Sequence, residues 1–272
     1  CVFAGPSIYS ASQAVIYSLG PDQYSYSVHS FGHPQLPRMS SSESGLDSDG
    51  DEGDELEPLP ALHQAVLDLD LDAVRSVLAA GTSIDTRCGG WTPLIRACAS
   101  AEDQVDPCAR DWNTRVTDRV AMVQTLLDNG AAVDARSGDT SDTPLHVAVM
   151  SPDPPSNDIV ELLIAAGANV NANDDMDYSV LYAAAQCGRP EVIAMLIAAG
   201  ADVHKKCQGT FTPLRGAAIA GKVRNYAPLL RAGADIGSVP ADHRNAYLNK
   251  IAATPGGYPA YERAHRTRLA AI

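Results

Sequence analysis

The stretch TPLHVAVMSPDPPSNDIVELLIAAGANVNAN, residues 143–173, contains two landmarks that recur along the chain. The first is the Thr-Pro-Leu start, where the Thr hydroxyl can cap backbone amides and Pro is preset for the first helical turn. The second is the glycine after an apolar run, which ends a helix in the left-handed conformation. The start leucines are Leu62, Leu94, Leu145, Leu181, Leu214 and Leu248, and the closing glycines are Gly81, Gly130, Gly167, Gly200 and Gly233. The recurrence of both landmarks predicts a repeat made of paired helices.

The spacing of the landmarks gives the length of the repeat. The chain runs 19, 36, 22, 19 and 19 residues from leucine to glycine, and 13, 15, 14, 14 and 15 residues from glycine to the next leucine. A unit of 33 residues therefore explains the chain from residue 60 onward, with 17 residues added in the second unit and 3 in the third. Apolar residues just before each glycine are expected to face the neighbouring unit. Pro228, inside a second helix, is expected to distort its first turns.

The motif TPLHVAV, the LLxxGAxVN pattern and the 33-residue period resemble the ankyrin repeat. The resemblance covers residues 60–272, as four full copies between a half-unit cap at 60–90 and a degenerate cap at 246–272. It implies an all-α repeat solenoid, in which stacked helix-turn-helix-hairpin units form a curved body. It also implies a domain that binds protein partners and has no catalytic residues. At the family's histidine position, His63 and His146 are expected to tie each hairpin to a helix start.

Composition and motifs exclude several functions. No run approaches the roughly 20 apolar residues of a membrane span, and no phosphate-binding, metalloprotease or nucleophile-elbow motif occurs. The six cysteines form no CxxC pair and no zinc-spaced cluster, which favours a reducing compartment. We therefore expect a soluble, non-enzymatic protein of the cytoplasm or nucleus, monomeric and without cofactor, metal or membrane partner.

Charge is segregated along the chain behind the net value of -13. Residues 61–203 carry 21 acids against 8 bases, whereas residues 204–272 carry 3 acids against 11 bases. Within this basic island Lys222, Arg224 and Arg231 are a candidate site for an acidic or phosphorylated partner, the alternative being simple solvation of a terminal repeat. Nucleic acid is a less expected partner, because the protein as a whole is acidic.

The N-terminal region differs in composition from the repeats. Residues 1–59 are predicted to be disordered, and from Met39 they form a serine-rich acidic run that cannot build a core. We expect translation to start at Met39, so that residues 1–38 are a fragment artefact or a mispredicted exon; the alternative is a genuine flexible extension. Ser44 and Ser48, each with an aspartate three residues on, are candidate phosphorylation sites.

Partner binding is expected on the concave face and hairpin tips that the resemblance implies. Three positions before the start leucines, three of the four full copies place an aromatic side chain, and rings bury large area at small entropic cost. Polar and apolar neighbours surround them. The predicted partner-binding residues are Trp91, Asp139, Asp142, Asp175, Met176, Tyr178, Gln208 and Phe211. The alternative is that each ring packs onto its own hairpin.

Two further features have open interpretations. The insertion at residues 101–117 is expected to be a loop between two helices, where Arg110, Trp112 and Arg115 form a possible second binding surface or a tolerated loop that covers a helix end. Asn171 stands where asparagines of the family are hydroxylated, the alternative being a tightened hairpin.

The most consistent function is a scaffold or adaptor that binds a protein. The alternative function is a regulatory subunit of an enzyme, either an inhibitor or a ubiquitin-ligase substrate receptor.

Overall fold

The computed structural model describes residues 59–99, 112–151, 156–187 and 189–270. These residues contain twelve α-helices: α1 Ala61–Leu67, α2 Leu71–Ala79, α3 Pro93–Cys98, α4 Trp112–Asp128, α5 Pro144–Met150, α6 Ser156–Ala165, α7 Val180–Cys187, α8 Pro190–Ala198, α9 Pro213–Ile219, α10 Tyr226–Arg231, α11 Ala246–Ala252 and α12 Gly257–Ala270. Short 3-10 turns occupy Val223–Asn225, Ile236–Ser238 and Ala241–His243. None of the described helices is long and apolar enough to cross a membrane.

The first helix of each central unit begins where the start motif predicts. The hydroxyls of Thr92, Thr143 and Thr212 each accept a hydrogen bond from the backbone N–H three residues on, and Pro follows directly. Ser179 does the same before α7, accepting from the amide of Tyr182 at 3.2 Å. These side chains satisfy donors that a helix leaves without intrahelical partners. The capping interpretation of the start motif is confirmed.

The second helices end and pack as expected. Gly167 has a φ of 89°, which a side chain would strain, and lies just beyond α6. Four positions before the closing glycine, the leucines of four successive units are 0% exposed: Leu126, Leu163, Leu196 and Leu229. These residues form the seam between neighbouring units.

The helices stack in two layers. In one layer α1, α3, α5, α7 and α9 pack in succession, and in the other α2, α4, α6, α8, α10 and α12 do. At the end of the stack α9 contacts the 3-10 turns that follow α10, while α11 packs on α12. The described residues contain no β-strand, only three isolated bridges in the hairpins. The fold is an all-α repeat solenoid, as predicted.

Four boundary expectations meet different outcomes. Pro228 does distort its helix, because a 3-10 turn replaces the first turn and α10 spans only Tyr226–Arg231. The prediction of a half-unit cap at residues 60–90 is wrong, since α1 and α2 form a complete helix pair. The prediction that residues 101–117 form a loop over their whole length is also wrong, because α4 already begins at Trp112. Residues 1–58, with Ser44 and Ser48, lie outside the described residues, and so the predicted disorder and start at Met39 stay predictions.

Candidate protein-binding site

Four hairpin tips line one edge of the stack, and together we call them the tip row: residues 88–91, 137–142, 173–179 and 207–211. Three are closed by the isolated bridges Cys88–Trp91, Asn173–Ser179 and Cys207–Phe211. In the remaining tip the amide of Ser137 donates to the carbonyl of Asp142 at 2.8 Å. Each copy therefore ends in a closed turn of fixed shape.

Hydrogen bonds join each tip to the next. The amide of Gly138 donates to the carbonyl of Gly90 at 2.8 Å, and the amide of Asp175 donates to the carbonyl of Thr140 at 3.0 Å. Gln208 then reaches the preceding tip through its side chain, which donates to the carbonyl of Met176 at 3.1 Å. A Cβ on Gly138 would lie 2.9 Å from Cα of Gly90, so only glycine permits that approach. The tip row is one continuous, preorganised edge.

A second ladder ties the bases of the hairpins together. The residue four positions after the closing glycine accepts a hydrogen bond from the next copy: Asp85 from Ala132 N, Asp134 from Asn169 N, and Asn171 from Asp202 N, at 2.9–3.0 Å. The side-chain nitrogen Nδ2 of Asn171 also donates to the carbonyl of Gly200 at 3.1 Å. Both polar atoms of Asn171 thus tighten the hairpin, while its modification stays a prediction.

His63 and His146 hold the hairpins against the first helices, as predicted. The Nε2 of His63 donates to the carbonyl of Thr86 at 2.8 Å, while its Nδ1 accepts from Nε of Arg96 at 3.2 Å. The Nε2 of His146 lies 3.3 Å from the carbonyl of Tyr178. Burial lowers the pKa of His146 to about 4, outweighing the opposing effect of the bond to Tyr178. Burial lowers the pKa of His63 as well, against its bond to Thr86, so both imidazoles are neutral structural links at physiological pH.

The predicted binding rings are only half-buried, and each lies against a first helix. Tyr178 stacks on the buried ring of Tyr182, with centroids 4.8 Å apart, and Phe211 meets Tyr182 edge-on at 6.3 Å. The guanidinium of Arg215 covers Phe211 at 4.6 Å from the ring centroid. Trp91 has the guanidinium of Arg96 at 5.9 Å. The rings both support the hairpins and leave part of their surface accessible.

Asp142 does not belong to the surface, and its assignment to an exposed binding position is wrong. Its side chain is 3% exposed and accepts a hydrogen bond from the Thr140 hydroxyl, while its amide donates to Oγ of Ser137 at 2.9 Å. Burial raises the pKa of Asp142 to about 6, against the Thr140 bond and with help from the charges of Asp174 and Asp175. The short side chain of Asp142 turns inward and closes the tip. The aromatic rings at the same position of the other copies stay half-buried.

The remaining predicted residues of the tip row are exposed and lie side by side. Asp139, Asp175 and Gln208 are exposed, and Met176 is 53% exposed. Two acids that sequence reasoning did not select, Asp174 and Asp177, lie among them. Their signal was the run DDMDY at residues 174–178. The centre of the tip row therefore combines clustered carboxylates with an accessible thioether.

The carboxylates at the centre of the tip row repel one another. The pKa of Asp174 is raised, first by burial and further by the charges of Asp175 and Asp177, although backbone bonds from Tyr178 and Met176 oppose this. Coulomb repulsion between such groups is relieved when a cation approaches. The surface is thus electrostatically suited to positive side chains.

The other predicted surfaces are separated from the tip row. Lys222 and Arg224 are exposed at the 3-10 turn before α10. Arg231 is not an available cation, because it pairs with Glu262 of α12 at 2.7 Å, and Arg266 joins the same carboxylate at 3.1 Å. Its assignment to an acidic-partner site is corrected accordingly.

The second predicted surface lies largely outside the described residues. Arg110 lies outside the described residues, as do the side chains of Trp112 and Arg115, so that surface stays a prediction. No group of three metal-binding side chains occurs within the part of the chain that the structure describes. Burial raises the pKa of the Cys98 thiol to about 12, which makes it unreactive.

Comparison with known proteins agrees with the fold. Residues 156–239 match the family described as ankyrin repeats, in three copies. No curated protein matches the chain. The matched segment runs from α6 to the 3-10 turn at Ile236–Ser238, and the same helix pair, hairpin and seam recur before it. Ankyrin repeats are protein–protein interaction modules. The chain thus contains ankyrin repeats, which the family model matches over residues 156–239.

Proposed function

We propose that the protein is a non-enzymatic adaptor or scaffold, which binds a basic, extended segment of a partner protein along the tip row. The observation that carries this proposal is the chain of hydrogen bonds that joins neighbouring tips around exposed carboxylates and Met176. Because the tips are already fixed, little backbone ordering opposes binding.

The chemistry of the tip row supports a basic partner. Four aspartates, Asp139, Asp174, Asp175 and Asp177, lie in two adjacent tips. Lysine or arginine side chains would relieve their mutual repulsion and set the orientation of the segment. Met176 offers flexible, polarizable apolar contact between the charges. The half-buried rings of Tyr178 and Phe211 add area beside it.

The remaining features of the proposal follow from the same surface and from composition. Acidic tips repel nucleic acid, and the protein acts without cofactor or metal. We assign it to the cytoplasm or nucleus, as a monomer that recognises one partner segment.

A charge-reversal experiment tests the tip row. Panning a displayed library of random peptides against the full chain is expected to enrich lysine- and arginine-rich sequences. The double variant Asp139→Lys/Asp175→Lys should lose that enrichment, since neither side chain has a hydrogen-bonding role in the tips. The matched control Glu161→Lys/Glu191→Lys changes the same charge at exposed positions of α6 and α8, and should retain it.

The outcome also separates the alternatives. Equal enrichment in both double variants would overturn the tip row as the binding surface. Affinity purification with the same variants identifies the natural partner as a protein lost only from the Asp139→Lys/Asp175→Lys sample. If the proteins lost only from the Asp139→Lys/Asp175→Lys sample are enzyme subunits, the protein is better described as a regulatory subunit than as an adaptor.

A further inference from the structure

A crevice of about 350 Å³ lies at the last tip, between the 207–211 hairpin and the 3-10 turn Ile236–Ser238. Lys206, Thr210 and Arg215 line it together with Thr212, Asp235 and Ser238. The crevice adjoins the acidic tips, because Gln208 in the same hairpin bonds to Asp177 and Met176. Its lining combines two cations and three hydroxyls with one carboxylate, in contrast to the clustered carboxylates of the two preceding tips.

Arg215 lines this crevice and carries a buried donor that has no acceptor in the described part of the chain. Its Nε is buried and has no hydrogen-bond partner among the described residues. The guanidinium carbon lies 4.6 Å from the centroid of the Phe211 ring, a cation–π contact that holds the head group in place. A buried donor without an acceptor is costly, more so when it is charged. An anion in the crevice would lower that cost by compensating the charge of the guanidinium.

The polar floor of the crevice is already ordered. Ser238 donates to the carbonyl of Asp235 at 2.6 Å and lies 2.8 Å from Oγ1 of Thr212. The carboxylate of Asp235 accepts from the amide of Gly237 at 2.8 Å, and so it caps the turn. Lys206 and Thr210 are both exposed at the rim. The donors left for a ligand are thus one ammonium, one hydroxyl and the guanidinium.

We propose that this crevice binds a phosphate monoester, carried by a phosphorylated serine or threonine of the partner segment. Two cations against one engaged carboxylate favour a dianion, and charge-assisted donors are the strong ones for phosphate. The proposal rests on the proposed function, since the same segment would place basic residues on the acidic tips and its phosphate on Lys206 and Arg215.

The test follows the full chain by ¹H–¹⁵N NMR during titration with inorganic phosphate, and separately with O-phosphoserine, at constant ionic strength. The Nε–H signal of Arg215 and the backbone amides of Gly209 and Thr210 are expected to shift with both. Lys206→Gln should weaken phosphate affinity about tenfold. The control Lys250→Gln removes the same charge from an exposed lysine of α11 outside the crevice, and should change affinity less than about twofold.

A second variant separates the donor from the charge. Arg215→Lys retains the cation but loses the planar fork, and should also weaken phosphate affinity while unfolding cooperatively. No shift of the Arg215 signal, or an equal loss of affinity in Lys206→Gln and Lys250→Gln, would overturn the phosphate site.

Failure of the proposed function gives a different result. The Asp139→Lys/Asp175→Lys variant should still bind inorganic phosphate. A basic peptide selected by panning should bind the unmodified chain more tightly when phosphoserine follows its basic run. If phosphoserine adds nothing, the partner assignment of the crevice fails although basic peptides are still selected.

Discussion

At the scale of single residues, the rings of the tip row have two roles. If the rings of Trp91, Tyr178 and Phe211 only contacted a partner, their removal would cost little stability. In the structure Tyr178 and Phe211 lie against the buried ring of Tyr182. Replacing all three by alanine should therefore abolish partner binding and also destabilise the fold.

The single change Tyr178→Ala separates those effects. We expect a loss of about 1–3 kcal/mol in the free energy of unfolding, because a half-buried stacked ring contributes both area and ring contact. Urea unfolding measures it. Met176→Ala in the same hairpin is the control, and at 53% exposure should cost under about 0.5 kcal/mol. Equal, negligible losses in both variants would show that Tyr178 serves the surface alone.

Asp142 and His146 give opposite pH dependences. Asp142 has a native pKa of about 6, above its unfolded value of 3.8, so it binds a proton more readily in the native state. Its contribution to stability falls as pH rises from about 4 through 6. His146 has a native pKa of about 4 against 6.5, so its contribution falls as pH drops from about 6.5 to 4.

Two variants resolve these contributions. Relative to the unmodified chain, Asp142→Asn should become more stable as pH rises from 4 to 7, whereas His146→Gln should become relatively more stable as pH falls over the same interval. Thermal unfolding at several pH values measures both. Parallel pH profiles for either variant and the unmodified chain would contradict the assigned pKa of that residue.

At the scale of elements, one glycine inside a helix decides how two copies pack. Gly216 lies in α9, and a Cβ there would meet Cε2 of Tyr182 in α7 at 2.7 Å. Alanine normally favours a helix by roughly 1 kcal/mol over glycine. Here Gly216→Ala should instead destabilise by about 1–3 kcal/mol, because the ring is buried between the copies.

A double-mutant cycle checks that explanation. In the background Tyr182→Leu, which removes the ring, Gly216→Ala should become neutral or stabilising. The coupling between the two sites is read from chemical unfolding of the four proteins. If the losses of unfolding free energy are additive, Gly216 is required for a reason other than the ring of Tyr182.

The elements themselves follow from local sequence patterns, whereas the site depends on individual side-chain contacts. Thr143 and Pro144 start a helix, and Gly167 ends one, wherever they occur, because capping and left-handed turns are local. Whether Asp142 turns inward depends on Thr140 and Ser137. Whether the guanidinium of Arg231 is available to a partner depends on Glu262, which lies 31 residues away in the sequence. Such contacts carry no periodic signal, and so sequence reasoning placed both residues on the surface.

At the scale of the whole repeat domain, charge changes sign along the stack. The carboxylates of the tip row belong to residues 61–203, and the bases gather in residues 204–272. Interactions between exposed charges fade beyond a Debye length of about 8 Å at physiological salt, so each region acts on its own part of a partner. A partner with basic and phosphorylated segments would align with this polarity, and would bind poorly in reverse.

The exposed cations of the 3-10 turn before α10 should accelerate that alignment. Lys222→Glu/Arg224→Glu is expected to slow association with a phosphorylated partner several-fold at about 50 mM salt and much less at about 500 mM, because steering acts on the association rate and is screened. Unfolding free energy should change little, since both side chains are exposed. Arg231→Glu is the contrast: it sets a carboxylate beside Glu262 and should cost about 1 kcal/mol of stability without any partner present. Association rates that are the same at both salt concentrations, with no loss in the double variant, would leave Lys222 and Arg224 as solvating groups of the terminal repeats.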